Sequence, residues 1–367
     1  MKRHSNARQH IETLLPIGFA SAERGIAGAL SSLATITSSL IANRQYWTRR
    51  ARQWSRLVTP APLHRTLYEA ALHEGAELLF DAWRDSGAQR GWMVAEIEPS
   101  ELHSALGMFR RARELGNLMP NIMPGVPVSD IGCEVIEELV ATGHAVNASL
   151  CFSVAQVQAA QAAIRRGRWR ALREGIGLAR TRHLISVVPA TMFEHPAFTA
   201  QAARAGIELS EQDRAWVEVA VYQAQVKARC GPSDSTSLVM MAGNSRCRWR
   251  APGHCASNAN PLANGLYCAG EAELEALLNR RNDEAHGAVH FDEPVPADVL
   301  HRLLAIQGVR QLCGIESLDT ACFSRHPLYL QGISKSLRAY TRLLGFARQL
   351  GLPLHADIPQ ATAAGRF

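Results

Sequence analysis

Lysine is almost absent from this chain of 367 residues, whose net charge of +6 is carried mainly by arginine. The lysines are Lys2, Lys227 and Lys335. Few positions can therefore supply a side-chain amine that attacks a carbonyl group. Aromatic residues make up only 6% of the chain and the basic residues are scattered, whereas a nucleic-acid-binding face combines basic and stacking residues. We expect no nucleic-acid partner and favour a small anionic substrate.

Long apolar runs are also missing, since none approaches the roughly 20 residues that span a bilayer. The basic N-terminus lacks the sustained apolar segment of a secretory signal, so we expect a cytoplasmic protein with no membrane partner. The eight cysteines form no CxxC pair. Cys247, His254, Cys255 and Cys268 match no common zinc spacing, so neither a metal nor another cofactor is expected.

Nucleotide-binding motifs are absent too, because no GxGxxG or GxxxxGK[ST] follows a predicted strand. Instead, short apolar strands alternate with amphipathic helices, as in parallel α/β folds. A strand that runs into a loop is predicted at residues 26–36, and further strands at 92–97, 118–123, 144–152, 184–189 and 238–242. We predict a (β/α)8 TIM barrel that forms one domain over residues 1–367, with an irregular or helical extension at 1–25 and a C-terminal helix and tail at 326–367.

The stretch 117–153 contains the clearest strand-helix-strand unit. An apolar strand at 118–123 leads into a loop rich in proline and glycine. Ser129 and Asp130 offer side-chain oxygens that cap the following helix, and Gly143 is predicted to close it. The next strand, 144–152, is apolar except for small polar residues at Asn147 and Ser149. A polar side chain inside a barrel needs a partner or must face the cavity, which indicates a site at these two positions.

Three segments have the pattern of one enzyme family. Gly91–Pro99 is similar to an acidic strand end, Asn117–Gly125 to an N-L-x-x-K-I-P-x-T strand, and Ile136–Gln156 to an x-E-x-L-x-x-x-G-x-x-V-N-x-T-L-x-F-S-x-x-Q run. By these segments the chain resembles the transaldolase family. The resemblance extends from Gly28 to about Ala242. It implies a class I aldolase barrel that transfers a dihydroxyacetone unit between sugar phosphates through a Schiff base on a lysine of strand four.

The resemblance also implies the residues of a site. It places the Schiff-base lysine position on Asn121, which cannot form an imine, and it implies proton transfer by Glu96 and orientation of a water by Ser149. Positions implied to contact the substrate are Ser32, Asn147, Ser186, Thr191, Ser245 and Arg246. Lys227 and Lys335 fall in predicted helices, outside the strands, so neither is expected at the mouth of the barrel.

Three hypotheses follow for the activity. The first is a transaldolase-like enzyme that acts on a sugar phosphate or related polyhydroxylated carbonyl compound by acid/base chemistry without an imine, in carbohydrate metabolism or a specialised biosynthetic pathway. The second is a catalytically inactive homologue with a binding or partner role. The third is a true transaldolase that uses a displaced lysine. The sequence permits a homodimer without requiring one.

Overall fold

Strands and helices alternate in the computed structural model, which describes residues 26–54, 61–188, 196–228, 236–240, 266–268, 289 and 293–350. The strands are β1 (Ile26–Ser31), β2 (Trp92–Glu96), β3 (Ile122–Pro127), β4 (Val146–Cys151), β5 (His183–Val187), β6 (Thr236–Met240) and β7 (Leu266–Cys268). The helices before β4 are α1 (Leu33–Ala42), α2 (Arg44–Trp54), α3 (Leu63–Asp85), α4 (Ala105–Gly116) and α5 (Asp130–Ala141). Those after β4 are α6 (Val154–Arg173), α7 (Pro196–Arg204), α8 (Glu211–Ala228), α9 (Ala297–Leu303), α10 (Gln307–Leu312) and α11 (Pro327–Gln349).

Within the described ranges, seven strands form one sheet in the order β6-β5-β4-β3-β2-β1-β7. Every neighbouring pair is parallel. Strands β1 to β6 follow chain order, and helices connect each strand to the next, as parallel crossovers require. The α/β prediction is therefore confirmed. The described strands leave β6 and β7 as the two outer strands of the sheet. None of the described helices has the length and apolar character of a membrane-spanning segment.

The two faces of the sheet carry different side chains, because successive residues of a strand point to opposite faces. One face packs against α4, α5 and α6 through an apolar cluster that includes Met93 and Val126. The opposite face carries Val94, Met123 and Leu184, which pack with Trp83 in a second cluster. Beyond these apolar residues, toward the carboxyl ends of β2 and β5, the same face becomes polar at Glu96 and Ser186.

The local signals around α5 act as predicted. The hydroxyl of Ser129 accepts a hydrogen bond from the backbone N–H of Gly132 over 2.9 Å, so it caps the helix. Gly143 follows the helix with a φ of 81°, a left-handed conformation that glycine adopts without strain. Both predictions are confirmed.

The predicted boundaries of the strand at 118–123 are wrong. Strand β3 runs from Ile122 to Pro127 and includes Pro124 and Gly125, which the sequence pattern indicated as loop residues. The strand lies between β2 and β4, where proline is unusual because it donates no ladder hydrogen bond. All six residues of β3 are buried, so tertiary packing outweighs local preference here. The shift of four residues moves Asn121 out of the strand.

Helix α11 crosses the carboxyl ends of the central strands. Near its start, the ring of His326 stacks on Phe152, which follows β4, with ring centroids 4.5 Å apart. Further along, a Cβ atom on Gly332 would come within 2.9 Å of the side chain of Leu150, so helix and strand end are in close contact. The hydroxyl of Tyr340 lies 3.1 Å from Nε2 of His64 on α3. The helix thus covers the end of the sheet at which barrel enzymes place their sites.

Candidate functional site

A polar group surrounds Gly125 at the carboxyl ends of β2 to β5. Gly125 is paired with Glu96 on one side and with Asn147 on the other, so these positions share one face. A Cβ atom on Gly125 would lie 3.7 Å from the amide nitrogen of Asn147. The hydroxyl of Ser186 donates to Oδ1 of Asn147 over 2.7 Å, which fixes the amide. Glu96, Asn147 and Ser186, all predicted from the sequence, are therefore neighbours.

The carboxyl group of Glu96 is held by donors from two distant elements. The backbone N–H of Leu33, at the start of α1, donates to Oε2 over 2.8 Å. The hydroxyl of Ser336, on α11, donates to Oε1. Burial of the carboxyl group raises the pKa of Glu96, and the two hydrogen bonds oppose that rise because they favour the carboxylate. A raised pKa suits an acid/base group that works near neutral pH.

A second acid lies just beyond β2, but its charge is balanced locally. Glu98 is 1% exposed and forms two hydrogen bonds with the guanidinium of Arg111, at 2.6 and 2.7 Å. Arg111 also bonds Glu69 and Glu114. A buried carboxylate that is paired in this way has a structural role, because proton uptake would break the ion pair. Glu96 is therefore the acid of this pair that remains for a site.

Asn121 lies away from this polar group. It precedes the amino end of β3, is fully buried, and donates its side-chain amide to the carbonyl oxygens of Ala76 and Gly91 at 2.8 and 2.9 Å. Asn121 was expected among the site residues, but β3 begins one residue after it. Asn121 therefore lies at the opposite end of the strand from Glu96 and Asn147. Its amide instead ties the end of β3 to α3 and to the turn before β2.

The remaining predicted site residues fall into two groups. Ser32 caps α1 by accepting from the N–H of Thr35 over 3.1 Å, directly beside the Glu96 contact. Ser149 is half-buried and pairs with Pro127. It lies two residues beyond Asn147 on β4, on the same face of the sheet. Outside the described residues lie Thr191, Ser245 and Arg246, together with the cysteine and histidine cluster at 247–268. Among the described residues, no group of three or more His, Cys, Asp or Glu side chains is placed to hold a metal.

Lys335 is placed differently from the expectation. It belongs to α11 and lines a small cavity of about 20 Å³ with Leu150, Phe152 and Val188, at the ends of β4 and β5. The expectation that this lysine lies away from the mouth is wrong, because α11 crosses the carboxyl ends instead of packing outside the sheet. Both Lys335 and Lys227 are exposed, but Lys227 lies in the last turn of α8. The sequence analysis did not place Lys335 or Ser336 at this end of the sheet. A local sequence pattern cannot show that a helix more than 200 residues away packs over β2.

Comparison with known proteins bears on the first half of the chain. The sequence profile of the Transaldolase/Fructose-6-phosphate aldolase family matches residues 28–214, just over half of the chain. The chain belongs to this family. The matched region begins within β1 and includes β2 to β5 and the polar group around Gly125.

The curated relatives of this transaldolase-family chain are distant. It is 27% identical to a transaldolase of Thiobacillus denitrificans over 218 residues, which cover 58% of this chain and 60% of the relative. It is 27% identical to a transaldolase of Neisseria gonorrhoeae over 159 residues, covering 43% and 45%. It is 25% identical to transaldolase 1 of Streptomyces coelicolor over 158 residues, covering 42% of each chain. The chain thus matches about half of the length of these relatives.

The structural role of Asn121 predicts that Asn121→Ala lowers stability. The substitution removes two buried hydrogen bonds, to the carbonyl oxygens of Ala76 and Gly91, which costs about 1–3 kcal/mol in the free energy of unfolding. Urea unfolding measures this loss. Asn117→Ala, at the exposed C-cap of α4, is the matched control and should change stability by no more than about 0.5 kcal/mol. Equal stability of the two variants would contradict the structural role.

Proposed function

We propose that this transaldolase-family protein acts on a sugar phosphate or a related polyhydroxylated carbonyl compound at the carboxyl end of its sheet, with Glu96 as the acid/base group. The observation that carries the proposal is the placement of Glu96, Asn147 and Ser186 around Gly125. Family membership supports the class of substrate. The amide of Asn147 is suited to bind a carbonyl or hydroxyl oxygen, while Glu96 moves a proton.

We further propose that Gly125 occupies the position of the family's Schiff-base lysine. When the motif N-L-x-x-K-I-P-x-T is laid on Asn121–Ser129, its proline falls on Pro127, and Val126 and Ser129 replace its isoleucine and threonine conservatively. The lysine then falls on Gly125, between Glu96 and Asn147. With glycine at this position β3 supplies no amine, so the chemistry of the main proposal proceeds without an imine there.

The proposed chemistry begins with a proton transfer. In a ketose phosphate, a carboxylate base removes a proton from the carbon next to the carbonyl group, and the resulting enediol can take up a proton or lose a leaving group. Isomerisation and dehydration share this step. Aldol cleavage reaches an enediol by another route, in which the base removes the proton of the hydroxyl on the β carbon, the bond between the α and β carbons breaks, and the β carbon leaves as a carbonyl compound. Because burial raises the pKa of Glu96, its carboxylate is a stronger base than an exposed glutamate.

Exchange of the carbon-bound proton of fructose 6-phosphate in D2O tests this step. NMR should detect uptake of deuterium with the wild-type protein, and Glu96→Gln should slow it by about 10²- to 10⁴-fold because the amide cannot accept the proton. Glu138→Gln, on the outer face of α5, is the control and should leave the rate unchanged. A Glu96→Gln variant that exchanges at the wild-type rate would contradict the proposal.

The inactive alternative gives a different result. If the protein only binds the sugar phosphate, the ligand raises the melting temperature, since binding to the native state stabilises it. The wild-type protein then catalyses no deuterium exchange. Asn147→Ala should abolish that rise. Binding without exchange in the wild-type protein would therefore favour a binding role over catalysis.

A second candidate function uses Lys335. This lysine lines the cavity beside Phe152 and Val188, so an amine is present at the end of the sheet where the family forms its imine. In this case the amine of Lys335 attacks the carbonyl carbon, the carbonyl oxygen leaves as water, and transfer of a dihydroxyacetone unit proceeds as in a true transaldolase.

Borohydride trapping decides between the two candidates. If Lys335 forms an imine with fructose 6-phosphate, reduction leaves a stable secondary amine, and mass spectrometry finds the adduct on the peptide that contains Lys335. Lys335→Arg removes the adduct because arginine does not form the imine, whereas Lys227→Arg retains it. Absence of any adduct on Lys335 contradicts the second candidate.

We also propose that the parallel sheet belongs to a single-domain (β/α)8 barrel. The order of the seven strands supports this proposal, because β1 to β6 are consecutive neighbours and β7 lies on the free edge of β1. One further strand between β6 and β7 would close the ring.

A further inference from the structure

We propose that Ser336 is a positioning residue of the site, which orients the carboxyl group of Glu96 and sets its affinity for a proton. The inference rests on the proposed function, in which Glu96 is the acid/base group. Ser336 lies 240 positions from Glu96 in the chain, and its hydroxyl donates directly to Oε1. The C-terminal helix is therefore part of the site as well as a cover over it.

The orientation of Glu96 depends on two donors that approach from different sides. Leu33 binds one carboxyl oxygen through its backbone N–H, and Ser336 binds the other through its hydroxyl. Because each oxygen has its own donor, rotation of the carboxyl group would break both hydrogen bonds. Each carboxylate oxygen has a second lone pair besides the one that accepts its hydrogen bond, so Glu96 can still accept a proton while both donors hold it.

Helix α11 is anchored firmly enough to hold Ser336 in place. Tyr329 is 6% exposed, Gly332 contacts Leu150, and Tyr340 contacts His64, so the face that includes Ser336 packs against the sheet and α3. Residues three and four apart lie on one face of a helix, which places Ser336 in this row.

Other charged and titratable groups near Glu96 do not replace the effect of Ser336. Glu98 raises the pKa of Glu96 through repulsion, while Arg111 forms the buried pair with Glu98. On α3, the hydroxyl of Tyr68 donates to the backbone carbonyl of Glu96 rather than to its side chain. Lys335 is adjacent to Ser336 on α11 and lines the neighbouring cavity. Loss of the Ser336 hydrogen bond should therefore destabilise the carboxylate form of Glu96 and raise its pKa.

A pH titration of Glu96 by NMR tests this inference without any substrate. Protein labelled with ¹³C at the glutamate side-chain carboxyl carbon gives the titration midpoints, and Glu96→Gln assigns the signal. In Ser336→Ala the midpoint should move to higher pH, because removing a hydrogen bond to the carboxylate favours its protonated form. Ser336→Thr keeps the hydroxyl and should retain the wild-type midpoint.

Ser334→Ala is the matched control on the same helix. Ser334 is exposed and donates to the carbonyl of Leu330 in its own helix, so its loss should leave the midpoint unchanged. If alanine at 336 prevents folding, Ser336→Cys supplies a weaker donor of similar size and should give a smaller shift in the same direction. A midpoint that is the same in Ser336→Ala and the wild type overturns the inference.

The titration and the exchange experiment fail independently. If deuterium exchange is absent but Ser336→Ala moves the midpoint, Ser336 does set the proton affinity of Glu96 and only the proposed function is wrong. If exchange is present and the midpoint does not move, the function stands and the positioning role is lost. If both the function and the positioning role are correct, the rate of exchange falls at low pH as Glu96 is protonated. In Ser336→Ala this fall should occur at a higher pH, by the same shift as the titration midpoint.

Discussion

The register of β3 against β2 and β4 determines which side chains meet at the carboxyl end of the sheet. Pairing of Gly125 with Glu96 and Asn147 brings the acid and the amide to either side of a residue without a side chain. A slip of one residue would turn Gly125 to the helix-covered face and bring Val126 to the polar group. The buried amide of Asn121, bonded to two carbonyl oxygens, helps to fix this register at the other end of the strand.

Much of the fold was predictable because its signals are local. The apolar run of β2, the serine cap of α5 and the glycine that ends it each act through neighbouring residues, and the structure confirms them. The resemblance to the transaldolase family pointed to Glu96, Asn147 and Ser186, and for Asn147 the need of a polar side chain in an apolar strand for a partner pointed the same way. Strand β3 was misplaced because Pro124 and Gly125 disfavour a central strand locally, while burial on both faces decides the outcome.

The contribution of α11 could not be predicted from local pattern. Periodicity indicates a helix at these residues, but it does not reveal which part of the sheet that helix covers. The contact of Ser336 with Glu96 and the place of Lys335 beside Phe152 depend on tertiary packing across most of the chain. In a chain with three lysines, Lys335 lies at the carboxyl end of the sheet, where the second candidate function requires an amine.

The central claim is that Gly125 occupies the family's lysine position, and restoring a lysine there tests it most directly. A Cβ atom at this position would lie 3.3 Å from the carbonyl oxygen of Ala95, so a side chain requires only a small shift. Fructose 6-phosphate and borohydride should leave a covalent adduct at residue 125 of Gly125→Lys and none at residue 121 of Asn121→Lys. An adduct at residue 121, or none at residue 125 in a folded Gly125→Lys protein, would contradict the account.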